Sequence, residues 1–356
     1  MTVETTQRTQ RALERIEETF GQGRNLAAEY PLVFGPEFPG SLVGLEKDGD
    51  VISACAILPR DLVCNGWLLR MGLIGSVTTA EEFRGQGLAG QLLERAEQTL
   101  FCDGAVFSML WADDPKFYAS KGYVPMGLEL DYRFTPDMAG KLPEPEGVRW
   151  MRSRDHDGVH GLYVRHSHRM DRNLAETSAL LCGPEMTSLV CEQEGEIVGY
   201  IVMGRGKDLQ GVIHEWGGST KAVLACVRVV LESLPQGSQG LFLMCPATAV
   251  DMRKTLLDLE VSALEGVLAM GRVIDLAGMA QVFRRFGDPR LKVEQDSNHV
   301  RLTGPNGTVT LDRKQCLLAT MPPQGNRGVI DAMEAETGIR FDGLPLYPFA
   351  WGLDSI

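Results

Sequence analysis

Fourteen residues, Val77-Thr-Thr-Ala-Glu-Glu-Phe-Arg-Gly-Gln-Gly-Leu-Ala-Gly90, join a strand-like apolar segment to a helix pattern in which Leu88, Leu92, Leu93, Ala96 and Leu100 share one side. A strand end, a glycine-rich turn and a helix N-terminus, in that order, expose backbone N–H groups at the positive end of the helix dipole. Phosphate oxygens are stabilised there. Gly85 and Gly87 let a ligand approach the main chain, and Arg84 adds positive charge. The segment therefore reads as a phosphate cradle. A nucleotide-hydrolysing loop needs Lys-Ser/Thr after its last glycine, whereas Leu88-Ala89 follows Gly87. Gly85-x-Gly87-x-x-Gly90 matches the dinucleotide fingerprint by letter, but that fingerprint places its glycines directly after the first strand of a parallel unit. Here Ala80 to Arg84 intervene, and four strands joined by tight turns come first. Asp103 lies before the next apolar strand, not at its end, so the acidic residue that would bind a ribose is missing.

The segments around the cradle alternate between strand and helix periodicity. Arg8 to Phe20 is expected to be a helix with Leu13, Ile16 and Phe20 on one face, followed by an irregular stretch, Glu29 to Gly40, holding Pro31, Pro36, Pro39, Tyr30, Phe34 and Phe38. Such a stretch is either a binding-site loop or a surface connection. Leu42 to Glu46 and Val51 to Ile57 form a hairpin, and Asn65-Gly66 joins Asp61–Cys64 to Trp67–Met71 in a second, with Leu73–Thr79 a further strand. After the helix Gly87 to Phe101, Ala105 to Trp111 is an apolar strand, Asp114 to Ser120 a short helix, and Val124 to Phe134 one more strand. In the last, Leu128, Leu130 and Tyr132 alternate with Glu129, Asp131 and Arg133. The proline-rich Thr135 to Glu146 is a linker, and Val148 to about Val273 repeats a looser version of the same order. Three units are expected: residues 1–140, 148–273 and 274–356, the last a small α+β domain ending in an apolar tail.

Charge narrows the partners. With 35 Lys+Arg against 47 Asp+Glu the formal net charge is -12, which disfavours nucleic acid or an anionic membrane surface as the main partner. Up to Trp150 there are 14 basic and 22 acidic residues, so this part carries -8 of the -12. A cationic substrate such as an amine suits that field. The eight cysteines are scattered without a CxxC pair and read as buried thiols of a cytoplasmic protein, not as a disulfide framework or zinc site. His156, His160, His166 and His168 lack a matching Cys/Asp/Glu set, so no metal is expected. Arg152, Arg154, Arg165, Arg169 and Arg172 read as a solvated helix face or an interdomain surface.

The cradle resembles that of the GNAT superfamily, the general-control-related N-acetyltransferases. Arg84-Gly-Gln86-Gly-Leu88-Ala fits its Arg/Gln-x-x-Gly-x-Gly/Ala loop, which binds the pyrophosphate of acetyl-CoA. Val77, Thr78 and Thr79 stand where the family's fourth strand holds the pantetheine arm, and Phe117-Tyr118-Ala-Ser-Lys-Gly122-Tyr123 resembles the segment after its fifth strand. The whole chain is similar to the enhanced intracellular survival (Eis) branch: an acetyl-CoA-binding domain, a degenerate copy, and a small sterol-carrier-like domain whose C-terminal carboxylate reaches the first active site. The fold class implied is α/β (α+β), with two tandem domains of mixed, mostly antiparallel sheet flanked by helices. In the second unit, His214-Glu-Trp-Gly-Gly218 runs into the next helix with no Arg-x-x-Gly-x-Gly/Ala loop, so one acetyl-CoA per chain is expected. The branch also tends to form homo-oligomers.

The resemblance implies transfer of an acetyl group to a primary amine, on a small molecule or a lysine side chain, by direct attack in a ternary complex. A backbone N–H near Thr79 would polarise the thioester, and Tyr118 would protonate the departing thiolate. The Ile356 α-carboxylate would accept the amine proton or bind a cationic amine. Asp113 and Asp114, at the end of the fifth strand beside the thioester, are alternative acidic groups along with Glu29 and Glu37, although Asp114 also suits a helix cap. Gly85, Gly87, Leu88, Ala89 and Gly90, with Asp113 and Asp114 at the strand end, complete the expected cofactor contacts. A non-catalytic acyl-CoA-binding or regulatory protein is the alternative reading.

Overall fold

The computed structural model describes residues 3–38 and 40–356, with side chains from residue 9 onward; Pro39 of the proline-rich stretch lies outside the described residues. Three long strands open the first sheet: Ser41–Lys47, Asp50–Cys64 and Trp67–Thr79. The two hairpins and the further strand expected from the turns thus merge. Pairing of Asp50–Cys64 with Trp67–Thr79 is continuous through Pro59, which faces Gly72. The helix Leu88–Cys102 packs Leu92, Leu93, Ala96 and Leu100 on Ile57, Ile74 and Leu110.

The expected single strand Val124 to Phe134 is two. Gly127 takes a left-handed φ of +71° and breaks it into Val124–Met126 and Glu129–Phe134, which belong to different sheets. The first sheet runs Ser41–Lys47, Asp50–Cys64, Trp67–Thr79, Phe107–Leu110, Ala269–Val273, Val124–Met126. The second runs Ala263–Gly266, Glu129–Phe134, Leu241–Pro246, Asp208–Gly218, Glu196–Arg205, Thr187–Gln193, Val148–Trp150. Each unit therefore lends one strand to the other: Glu129–Phe134 pairs with Leu241–Pro246, and Ala269–Val273 pairs with Phe107–Leu110.

Beyond residue 274 a three-stranded sheet (Lys292–Gln295, His299–Thr303, Thr308–Asp312) packs with the helices Leu276–Phe286, Arg313–Thr320 and Gly328–Thr337. One apolar core is continuous through all parts, from Met71 and Phe107 through Trp216 and Leu243 to Leu317, Phe349 and Trp351. Of the eight cysteines, all free thiols, six are buried while Cys102 and Cys182 are exposed, against the expectation that all would be inside. Among the described residues no helix is long and apolar enough to cross a membrane.

Candidate active site

The site begins where two parallel strands part. Trp67–Thr79 and Phe107–Leu110 pair only from Met71 to Leu73 opposite Phe107 to Met109, so the edge of the longer strand from Ile74 onward has no strand partner on that side. Ser76, at φ +52°, forms a bulge opposite Cys55 that turns this edge further out. The gap is a cavity of about 550 Å³. Val77, Thr78 and Thr79 line one wall, and Arg84, Gly85, Gly87, Leu88, Ala89 and Gly90 form its rim.

The rim suits a pyrophosphate. Gly85 and Gly87 both take φ +77°, and a Cβ at either would meet no atom within 4 Å, so both face open space. Gly87 caps the helix with no side-chain acceptor, and among the described residues the N–H groups of Gly85, Gln86, Gly87, Leu88 and Ala89 have no protein acceptor. Unsatisfied donors at a helix start are what a phosphate fills. Arg84 donates from Nε to the Thr79 carbonyl at 3.2 Å, and the rest of its guanidinium has no partner among the described residues. A second cation was missed in the sequence: a Cβ at Gly90 would stand 3.2 Å from Lys121 Nζ, which has no ion-pair partner among the described residues. Gln86 does not line the cavity; its side chain donates to Glu82 O at 3.4 Å.

The opposite wall carries Tyr118. Asp114 accepts from the N–H groups of Lys116 and Phe117 at 3.1 and 3.3 Å, capping the helix Pro115–Ser120 that presents it. Asp114 is thus a cap, as its sequence position allowed. The Tyr118 ring packs edge-on against Phe117 and Tyr123, with centroids 5.1 and 5.9 Å away. Tyr123 is itself fixed, donating to Glu97 at 2.7 Å, and Glu97 pairs at 2.7 Å with Arg272 of the exchanged strand. The Tyr118 hydroxyl has no hydrogen-bond partner among the described residues, and burial, with nearby Asp113, pushes its pKa up. It is a protonated donor at neutral pH.

Ile356 closes the cavity floor. A Cβ at Gly75 would stand 2.5 Å from the Ile356 carbonyl oxygen and 2.7 Å from its carbon, so the chain end lies directly on the bulged strand. A second cavity of about 620 Å³ shares Phe20, Ser76, Trp111, Asp113 and Ile356 with the first. Its walls add Tyr30, Met244 and Trp351, together with Asp208 and Glu129. Burial beside Asp131 pushes the Glu129 carboxyl up to about 8. Of the other acidic candidates, Glu29 is buried and paired with Arg24, and Glu37 lines neither cavity. Among its described residues the proline-rich stretch contributes Tyr30 alone to this wall. Among the described residues no group of three His, Cys, Asp or Glu could hold a metal.

Residues 5–126 match the family model for the acetyltransferase (GNAT) domain. The whole chain is similar in fold to several solved structures. It is similar over 97% of both chains to Eis1 from Mycobacterium abscessus, at 15% identity and a TM-score of 0.62. A GCN5-related N-acetyltransferase from Kribbella flavida has 15% identity, 100% coverage of this chain and 98% of its own, and a TM-score of 0.63. A probable N-acyltransferase from Enterococcus faecalis has 13% identity, 97% coverage of both chains and a TM-score of 0.64. No curated protein matches the sequence.

Proposed function

We propose that the protein transfers the acetyl group of acetyl-CoA to a primary amine by direct attack in a ternary complex. The observation that carries this reading is a single continuous space in which a free phosphate cradle, a free tyrosine hydroxyl and the Ile356 main chain meet. Gly85 to Ala89, Arg84 and Lys121 would hold the pyrophosphate, and the unpaired edge from Ile74 to Thr79 would take the pantetheine arm and polarise the thioester carbonyl. The donor supplies the activated acetyl group. Tyr118 stands across the gap and, held protonated by burial, gives its proton to the departing sulfur. The Ile356 α-carboxylate receives the amine proton, directly or through a water molecule.

The second cavity takes the acceptor. Its aromatic walls, with Asp113 and the Ile356 carboxylate, suit a protonated amine with an apolar body, while Asp208 is already paired with Arg24 and Glu129 is held protonated by burial; the cavity lies between the two sheets' units, which favours a small molecule over a lysine on a folded surface. A cytoplasmic setting fits a reaction that draws on the acetyl-CoA pool. Replacing Tyr118→Phe separates this reading from a protein that only binds acyl-CoA. Turnover should fall by about 10² or more while acetyl-CoA affinity stays the same, the loss expected for a positioned general acid. Unchanged turnover would remove Tyr118 from the mechanism.

A further inference from the structure

The second unit has no cofactor loop, yet it holds the most elaborate buried polar cluster in the molecule. Arg172 was expected on a solvated helix face or an interdomain surface. It is fully enclosed, with Nε 2.7 Å from Asp354 Oδ1 and Nη2 2.8 Å from Oδ2, a two-pronged contact with the last turn of the chain. Nη2 also lies 2.6 Å from Glu215, and the guanidinium carbon sits 3.9 Å over the Tyr163 ring. Tyr163 donates to Asp354 at 3.1 Å, and Tyr200 to Glu215 at 3.2 Å. Every member of this set except Asp354 belongs to the second unit.

Arg205 makes a second grip. Its Nη1 reaches the Leu353 and Ser355 carbonyls at 3.3 and 3.4 Å, and its Nη2 reaches Ser355 Oγ at 2.6 Å. The guanidinium carbon lies 4.1 Å over the Tyr30 ring. Upstream, Trp351 packs against Trp216 and His166, with centroids 5.4 and 4.5 Å away. Gly352 lies so close to His214 that a Cβ would stand 2.5 Å from its ring carbon. The segment His214–Gly218, where a cofactor-binding strand would end, therefore packs against the tail. Ile356 itself has no such partner and reaches across to Gly75 of the first unit.

We propose that Arg172 and Arg205 are positioning residues for the transfer reaction, and that the second unit's function is to clamp residues 351–355 so that Ile356 stands in the first unit's site. The proposal rests on the reading of Ile356 given above. Burying a guanidinium is costly unless geometry and partners are good, and here the tail supplies Asp354 to Arg172, beside Glu215, and the Leu353 and Ser355 oxygens to Arg205. Arg205→Lys keeps the charge but replaces a planar fork with one ammonium, which cannot span the Leu353 and Ser355 acceptors together.

The test uses the full chain and two readouts: release of Ile356 by a carboxypeptidase, and steady-state kinetics with acetyl-CoA and an accepted amine. In Arg205→Lys the release should rise about tenfold or more and kcat fall about tenfold or more, with acetyl-CoA affinity unchanged, because a misplacement of about 1 Å costs on the order of 10² in rate. Ser355→Ala, which leaves Arg205 and the core in place, should move both readouts the same way by less. Unchanged release in both variants overturns the clamp, and faster release with unchanged kcat overturns its positioning role. A wild-type protein silent toward every amine overturns the transfer reading instead, and Ile356 release still reports on the tail in that case.

Discussion

Adding one methyl group at Gly75 should cost activity and leave the fold intact. A Cβ there would lie 2.5 Å from the Ile356 oxygen, 2.7 Å from its carbon and 2.8 Å from its Cγ1. Non-bonded atoms settle at about 3.5–4.0 Å, so the chain end must retreat by roughly 1 Å. A displacement of that size at a reacting group costs on the order of 10² in rate. Stability should hardly change, since replacing Gly by Ala restricts the unfolded chain by about 0.4–1 kcal/mol in the protein's favour and the group that yields is a terminus. Gly72, three residues earlier on the same strand, is the control. Its Cβ would meet the Leu100 side chain, with Cδ2 at 2.5 Å and Cγ at 2.7 Å, inside the core under the cofactor-loop helix. Gly72→Ala should therefore destabilise by about 1–3 kcal/mol, the usual cost of overpacking. The assay is amine-dependent coenzyme A release beside thermal melting and an acetyl-CoA titration. Gly75→Ala that melts and binds acetyl-CoA like wild type but turns over about 10²-fold more slowly fits the reasoning. Turnover within about twofold of wild type would show that Ile356 takes no part, and would refute it.

Two further substitutions test the two cavities separately. Lys121→Ala should weaken acetyl-CoA binding about tenfold, the value of one charge-assisted contact (~1.4 kcal/mol), and the gap from wild type should narrow as salt is raised. Titration calorimetry at two ionic strengths checks it. Glu129 tests the acceptor side through pH. Its carboxyl is raised by burial from 4.5 to about 8, so the folded state holds a proton that the unfolded chain releases over that window. The stability this proton contributes is complete below pH 4.5 and lost as pH rises through about 8. The melting temperature of Glu129→Gln should accordingly fall less between those limits than that of wild type, and parallel curves would show that Glu129 ionises normally.

The cradle's shape was legible because it is written in consecutive residues: the left-handed Gly85 and Gly87, the free helix start and Arg84 are all local. Tyr118 was legible for the same reason, since Asp114 caps its helix from four residues away. What sequence could not show is what three-dimensional exchange decides. The alternation of Glu129, Asp131 and Arg133 marked a strand correctly, but nothing local tells which sheet receives it after the turn at Gly127. Lys121 faces Gly90 only because the helix Pro115–Ser120 folds back over the loop. Arg172, in a run of arginines that reads equally as a solvated face or an interdomain surface, is buried by partners 43 and 182 residues away. Gly75 carried no signal, because the atoms that crowd it belong to Ile356, 281 residues away in the sequence.

The most direct measurement is a screen of primary amines against the full-length protein and acetyl-CoA, with coenzyme A release and the mass of the amine product followed together. The account predicts release that depends on the amine and matches an N-acetylated product mole for mole. Binding of acetyl-CoA with no acetylated amine from any member of a chemically broad panel would contradict it, and would mark the protein as an acyl-CoA-binding module without transferase activity.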